Sequence, residues 1–579
     1  MAVPLLRRTL RCTFIVGILV LRTAFAEDAV PAPIALDSKE VAAFITLSDA
    51  KAVLTSLDAI AKKALPPEIY QPGMLQTLVG TKLGDPTLAS VVPNKPLLAV
   101  VFKVPNGFDP KNGPPPMALY VPLTPDSPVL DLVKEQMKND PTAQLAYDNG
   151  LLIIATTDFM DKAKTAESLY QKLAQAHLQS DARVYVSIAA LMETFGPLIK
   201  TEFEQSRDGA LNNLKNFPPP PEMGLSAETA GHVVRVFFKT VYGFLDQSDA
   251  LQLDLKIKPD SIQIENLFAA KSGTLLADFF SGTPLAPNSK LESFLTKGFM
   301  TYVASYDAKA LAAAVRKAIA EIAADPLTAP LAKNEVFVTL QQSLDASGGE
   351  AVSSLAAGAN GPEVTQVYAV ADEAKYIVLM ERMTTWFGPD SIISKIYGQM
   401  GMKFDMKLEK SIREHAGAVI HRLKFSMDSQ FMPPQEKERL KAFLPAYEVS
   451  TTKGYAVMAS NPASLDAALD KIAKGEFPPS GVTLKSAAAF GKGKNVYADL
   501  DIVAYMKFVM TKMAPDPQAA QIFNQLKSNE PVLISYAHAN GRAIAQINVP
   551  LMPILEMIKL FHALEAGPAK EPDTAKEKF

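Results

Sequence analysis

The chain has 579 residues, 48% hydrophobic and 21% charged, with 58 basic and 61 acidic side chains and a formal charge of −3. That length predicts more than one structural unit, and the apolar fraction excludes intrinsic disorder as a description of the whole. The balanced charge excludes the basic surface that nucleic-acid binding requires.

Residues 1–26 read as a signal peptide. Arg7, Arg8 and Arg11 form a basic start, and residues 14–21 form an apolar run too short to span a bilayer. Ala24-Phe25-Ala26 supplies the small-x-small pattern of a cleavage site before Glu27. Cleavage there removes four arginines and no acids, taking the formal charge from −3 to −7. It also removes Cys12, the single cysteine, so the exported chain is expected to be free of disulfides, Cys-ligated zinc and thiol nucleophiles. Such usage points to the periplasm or cell envelope of a bacterium. No later stretch has the length of uninterrupted apolar sequence that a membrane span needs; residues 552–564 come nearest, broken by Glu556, Lys559 and His562.

After a flexible segment at 27–39, four apolar strands are predicted to run straight into helices. They are residues 43–47 before Asp49, 184–188 before Ala189, 300–304 before Asp307, and 496–500 before Asp501. The tetrapeptide Asp49-Ala50-Lys51-Ala52 recurs as Asp307-Ala308-Lys309-Ala310, with Asp in the position of a helix N-cap. Asn149-Gly150 and Lys453-Gly454 each introduce a strand followed by a helix. Two hairpins come later, turning at Pro259-Asp260 and at Asn540-Gly541. These recurrences predict a duplication, with 40–282 and 295–565 as its two halves, 283–294 as linker and 566–579 as a disordered tail. Asp49 should superpose on Asp307, Gly150 on Gly454, Val184 on Val496, and Ile262 on Ile544. Residues 201–230 read as a polar insertion in the first half, with Pro218 to Pro221 extended.

Alternation such as Phe404, Met406 and Leu408 against Lys403, Asp405 and Lys407 predicts antiparallel strands with one solvated face. The expected class is therefore α+β: two similar halves, each an antiparallel sheet with helices packed on one face.

Chemistry is sparse. His415 and His421 form the nearest histidine pair, too far apart on one straight strand to share a metal and able to approach only if Ala416-Gly417 makes a turn, and His421 lines up with Val419, Leu423 and Phe425 toward a core. His538 is expected at a strand end on the surface. Ser48-x-x-Lys51 and Ser450-x-x-Lys453 match the spacing by which a lysine activates a serine, but capping and a hairpin explain them more simply. No metal or cofactor site emerges, and no catalytic residue can be named. Methionine is the unusual note, with 21 residues. Met506, Met510 and Met513 fall on one helical face, and Met380, Met383, Trp386, Phe387, Met400, Met402 and Met406 crowd another segment. Flexible thioethers fill cores, and they also line adaptable apolar grooves.

Arg183-Val184-Tyr185-Val186-Ser187-Ile188 and its three counterparts give the chain a style that resembles exported bacterial proteins from families of unknown function. The resemblance implies an envelope location and no site. The leading expectation is a non-catalytic envelope protein that binds or scaffolds another envelope component. One alternative is a carrier of an apolar ligand in a groove lined by Met and Phe; another is a hydrolase with an unidentified site.

Overall fold

A computed structural model describes residues 40–565 except 66–68, 105–114, 139–140, 176–179, 217–226, 282–289, 327, 333–334, 360, 387, 389–390, 392–393, 395–401, 430–432, 434–436, 438–445, 492, 513–520 and 522. Cys12, the cleavage-site residues Ala24, Ala26 and Glu27, the Pro218 to Pro221 run, Phe387, Met400, Met513 and the 566–579 tail lie outside the described residues.

The chain first forms β1 (Val41–Leu47), α1 (Ala50–Ala64), α2 (Met74–Lys82), β2 (Leu97–Phe102), β3 (Met117–Pro122), α3 (Pro128–Met137), β4 (Ala143–Asp148) and β5 (Leu151–Thr156). It continues with α4 (Met160–Thr165), α5 (Glu167–Gln175), β6 (Ala182–Ser187), α6 (Ile188–Asn216), α7 (Ala227–Gln247), β7 (Ser248–Ile257) and β8 (Ser261–Ala270). These strands pair antiparallel in the order β4-β5-β3-β2-β1-β6-β7-β8.

After α8 (Leu275–Phe279) come β9 (Met300–Ser305), α9 (Ala308–Ala324), α10 (Ala329–Ala332), α11 (Glu335–Ala346), β10 (Ser347–Ala357), β11 (Pro362–Val370) and α12 (Glu373–Trp386). Next are β12 (Met402–His415), β13 (Ala418–Ser429), β14 (Tyr447–Thr452), β15 (Tyr455–Ala459), α13 (Pro462–Lys474) and α14 (Lys485–Phe490). β16 (Val496–Leu500), α15 (Ile502–Lys512), β17 (Val532–Ala539), β18 (Arg542–Pro550) and α16 (Leu551–Glu565) complete the described chain. The order here is β12-β13-β14-β15-β11-β10-β9-β16-β17-β18.

A separate sheet in each half is not what forms. β8 and β18 pair antiparallel from Ser261↔Pro550 to Ala269↔Arg542, which places all the strands in one 18-stranded sheet. Pairing these two edges satisfies backbone groups that would otherwise template aggregation. Gln546 seals the seam by donating from Nε2 to Glu265 Oε2 across 2.7 Å.

Helices cover both faces of the sheet, not one. On the first face Phe44, Leu98, Val100 and Tyr120 are buried with Ala163 of α4 and Leu169 and Leu173 of α5. The alternate residues Leu97, Val121, Leu145 and Ile154 pack on the other face against Leu54 of α1 and Val129 and Leu130 of α3. The same split recurs later: Val367, Val457 and Ile420 meet α13 through Leu465 and Leu469, while Met458, Val449 and Leu423 meet α12 through Met380. The cause is in the strands themselves. Residues 97–102 and 151–155 are continuous apolar runs, the pattern of strands buried on both sides, and each buried Leu or Phe contributes about 1.5–3 kcal/mol.

Within the polar stretch 201–230, residues 201–216 finish α6. Ile199, Phe203, Arg207, Leu211 and Leu214 make a half-buried helical stripe, and Phe203 packs edge-on against Phe238 and Tyr242 of α7. Among the described residues no helix is long and apolar enough to cross a membrane.

Candidate functional site

The strongest site is a cavity of about 530 Å³ between α12 and the sheet. Asp372 starts α12, accepting a hydrogen bond from Lys375 N–H at 2.9 Å, and Glu373 accepts one from Gly454 N–H at 2.6 Å. These contacts tie the helix to the β14–β15 turn, where Lys453 and Gly454 adopt φ of 50° and 81°. At the other end Arg382 donates to Gln342 of α11, and Lys410 reaches Glu381. Held this way, α12 turns Tyr376, Leu379, Met380 and Met383 toward the sheet at i, i+3, i+4 and i+7. The facing strands supply Met406 from β12, Leu423 and Phe425 from β13, Tyr447 from β14 and Met458 from β15.

One end of the cavity carries a tyrosine cluster. Tyr368 donates to Gln366 Oε1 at 2.6 Å and lies 6.4 Å from the Tyr376 ring, while Tyr306 shares a hydrogen bond with Ser347. Tyr302 lies beside them, where burial and then the neighbouring Tyr306 phenol raise its pKa. Burial raises the pKa of Tyr306, Tyr368, Tyr376 and Tyr447, so each phenol stays neutral at any ordinary pH. No charged side chain lines this cavity among the described residues.

Of the methionines singled out in the sequence, Met380, Met383 and Met406 come together here, joined by Met458. Met506 and Met510 instead pack with Val503, Phe523 and Leu526 in an ordinary core cluster. Trp386 closes α12, its indole nitrogen buried without a hydrogen-bond partner among the described residues. The tyrosines were missed. Read alone, each is one more half-buried aromatic, and only a comparison of aligned strands would have marked them.

The other candidates disperse. Ser48 donates to the Asp181 carbonyl while Lys51 is exposed; Ser450 donates to Val419 O, and Lys453 to Ala473 O. Neither Ser–Lys pair forms a reactive dyad. His415 bonds Asp470 at 2.9 Å, whereas His421 accepts a hydrogen bond from Ser411 N–H at the β12 bulge. Burial, and then the charge of Lys410, lower the pKa of His421. No group of three or more metal-ligating side chains occurs among the described residues. His538 is not at the surface: only 4% is exposed, because Phe280 and Tyr536 pack their rings against it at the seam between β8 and β18. Burial, with Glu350 nearby, raises the pKa of Glu292, but neither carboxylate reaches the cavity.

A second groove of about 390 Å³ between α6 and α7 mixes Lys200, Arg207, Arg235 and Lys239 with Glu204, Asp208 and Asp325. Lys239–Asp325 and Arg207–Asp208 pairs consume part of that charge, and no single ligand chemistry stands out. No protein-family model, curated protein or solved structure matches the chain.

Proposed function

We propose that this is an exported, non-catalytic carrier that holds an apolar ligand in the cavity under α12. The observation that carries this reading is a roomy cavity whose walls combine four methionines with four tyrosines and no charge, on a scale usual for small-molecule sites. Native mass spectrometry of protein purified from its own host tests it. A bound lipid-like mass is expected, and a clean apo mass would remove the reading.

The carrier is built on a duplicated unit. In support, strands β4-β5-β3-β2-β1-β6-β7-β8 and β14-β15-β11-β10-β9-β16-β17-β18 follow the same order, with β12–β13 added at one edge. Asp49 and Asp307 cap equivalent helices, accepting from Ala52 and Ala310 N–H, and Gly150 and Gly454 occupy equivalent turns. Ladder register moves the other two matches. Ser187 and Asp501 are the corresponding caps, so Val184 falls with Ala498; the two-residue turns then place Ile262 with Ala543.

A scaffold role has one observation in its favour: the first half leaves Ile45, Met117, Leu119 and Leu253 exposed on one sheet face. A scaffold using both halves needs the patch twice, and in the second half the positions of Ile45 and Leu119 hold Tyr302 and Gln366. Surface plasmon resonance of Ile45→Asp against envelope extract tests this reading: binding equal to the native chain would dismiss it.

A further inference from the structure

Resting on the carrier reading, we infer that the cavity takes an uncharged amphiphile whose hydrogen-bond-accepting end meets the hydroxyls of Tyr376 and Tyr447. Most polar groups on the wall are already spent inside the protein. Ser343 donates to Thr339 O at 2.8 Å, Tyr368 donates to Gln366, and Ser347 serves Tyr306 and Gly349 N–H. Tyr376 and Tyr447 alone among these have hydroxyls with no hydrogen-bond partner among the described residues. Both side chains line the cavity, and neither oxygen is among the polar atoms sealed off inside the protein. Each can donate one hydrogen bond to a carbonyl, ether or hydroxyl oxygen. The rest of the wall, Leu379, Met380, Met383, Met406 and Met458, suits an aliphatic or ring-bearing body.

Charge decides between head groups. A carboxylate or phosphate entering this space would leave its hydration shell and find no cation on the wall among the described residues, and a burial of that kind is strongly disfavoured. A quaternary ammonium would need an enclosing aromatic box. The rings here do not close one: Tyr368 and Tyr376 are tilted by 37°, and Phe425 meets Tyr447 edge-on.

Three ligands with one tail test the inference: decan-1-ol, decanoate and decyltrimethylammonium, each below its aggregation concentration at pH 8. They are titrated into the full chain and read through Trp386, the only tryptophan, which lies one turn beyond Met383. The alcohol is expected to bind about tenfold or more tighter than either ion. Tyr376→Phe and Tyr447→Phe, each removing one oxygen, should weaken the alcohol about three- to tenfold and leave the melting temperature in place. A charged ligand that binds as tightly as the alcohol overturns the inference and leaves the carrier reading standing. Should none of the three bind, the ligand co-purified from the host decides: an uncharged one supports the inference, a charged one overturns it. A clean apo mass removes the carrier reading itself.

Discussion

One row of side chains crosses the sheet of the first half as Leu145, Ile154, Leu119, Ala99, Ile45, Val184 and Leu253. The matching row of the second half reads Val449, Met458, Gln366, Ser353, Tyr302, Ala498 and Ile534. Backbone pairing is the same in both, so the difference lies in the side chains and in what covers them. In the first half α3 seals only the Leu145–Ile154 end, and Ile45 remains 54% exposed. In the second half the added β12–β13 hairpin widens the floor with Met406, Leu423 and Phe425, and α12 stands over it. Widening the floor without filling it makes the cavity, and beside it the second-half row carries Gln366, Ser353 and Tyr302 where the first-half row has only hydrocarbon.

The comparison breaks most readily at the contact that anchors the added hairpin. Glu448 of β14, 4% exposed, accepts from Arg413 Nε of β12 and Arg422 Nη2 of β13, each at 3.0 Å, and Arg413 also reaches Asp466 of α13 at 2.7 Å. Arg413→Met leaves a buried carboxylate half-compensated and should cost about 3 kcal/mol, read as a fall in urea midpoint. Burial alone would raise the Glu448 pKa, but hydrogen bonds from Arg413 and Arg422 outweigh it and hold the carboxyl below its ordinary 4.5. A depressed folded-state pKa contributes stability that is present above 4.5 and is lost as pH falls through the lower folded value. In Arg413→Met the folded value is pulled back up, so Glu448 loses less stability on acidification and the cost of the substitution should be largest at neutral pH and shrink as pH falls below 4.5. A cost that does not change with pH would mean that Glu448 does not depend on Arg413.

Gln366→Leu installs the first-half residue, Leu119, in the second-half row. It leaves the half-buried Tyr368 hydroxyl without its acceptor and should cost about 1–3 kcal/mol by thermal melting. The reverse change, Leu119→Gln at a position 38% exposed, should cost less than about 0.5 kcal/mol. Equal effects from the two would show that the rows do not differ in burial.

Legibility followed the same division. The strands, the Asp49 and Asp307 caps and the Asn-Gly turn were readable because they depend on local pattern. The two-sided burial of residues 97–102 was also present as an unbroken apolar run, which alternation elsewhere in the chain obscured. Pairing of β8 with β18 was not readable: it joins residues far apart in sequence, and both strands alternate as any edge strand would. Half of the site was visible as a crowd of methionines around Met380 to Met406. Tyr306, Tyr368 and Tyr447 were not, because they converge only once three strands are placed side by side.

Helix caps give a finer test of the proposed duplication. Asp49→Ala and Asp307→Ala each remove a carboxylate that accepts from a first-turn amide, at 3.0 and 2.9 Å, and each should cost about 1 kcal/mol. Asp49 also accepts from Asn94 N–H at 2.7 Å, so its loss should be the larger of the two by a few tenths. A negligible effect at one site and a full effect at the other would separate helices that the shared strand order places together.

The smallest expected effect is the sharpest comparison of all. Ile45 and Tyr302 stand at the same place in their rows, yet one faces solvent and the other is half-buried beside the phenols of Tyr306 and Tyr368. Ile45→Ser removes an apolar side chain that is already half hydrated, so little transfer energy is lost. The remaining burial and the lower β-propensity of serine together should cost no more than about 0.5 kcal/mol in the isolated chain. Tyr302→Phe removes one oxygen from a phenol set within the tyrosine cluster and should cost about 1 kcal/mol. The smaller chemical change should therefore have the larger effect, measured by chemical denaturation of both variants under one set of conditions. If Ile45→Ser instead proved the more destabilising, the first-half face would be covered in solution by something that buries Ile45, and the two rows would differ in occupant rather than in exposure.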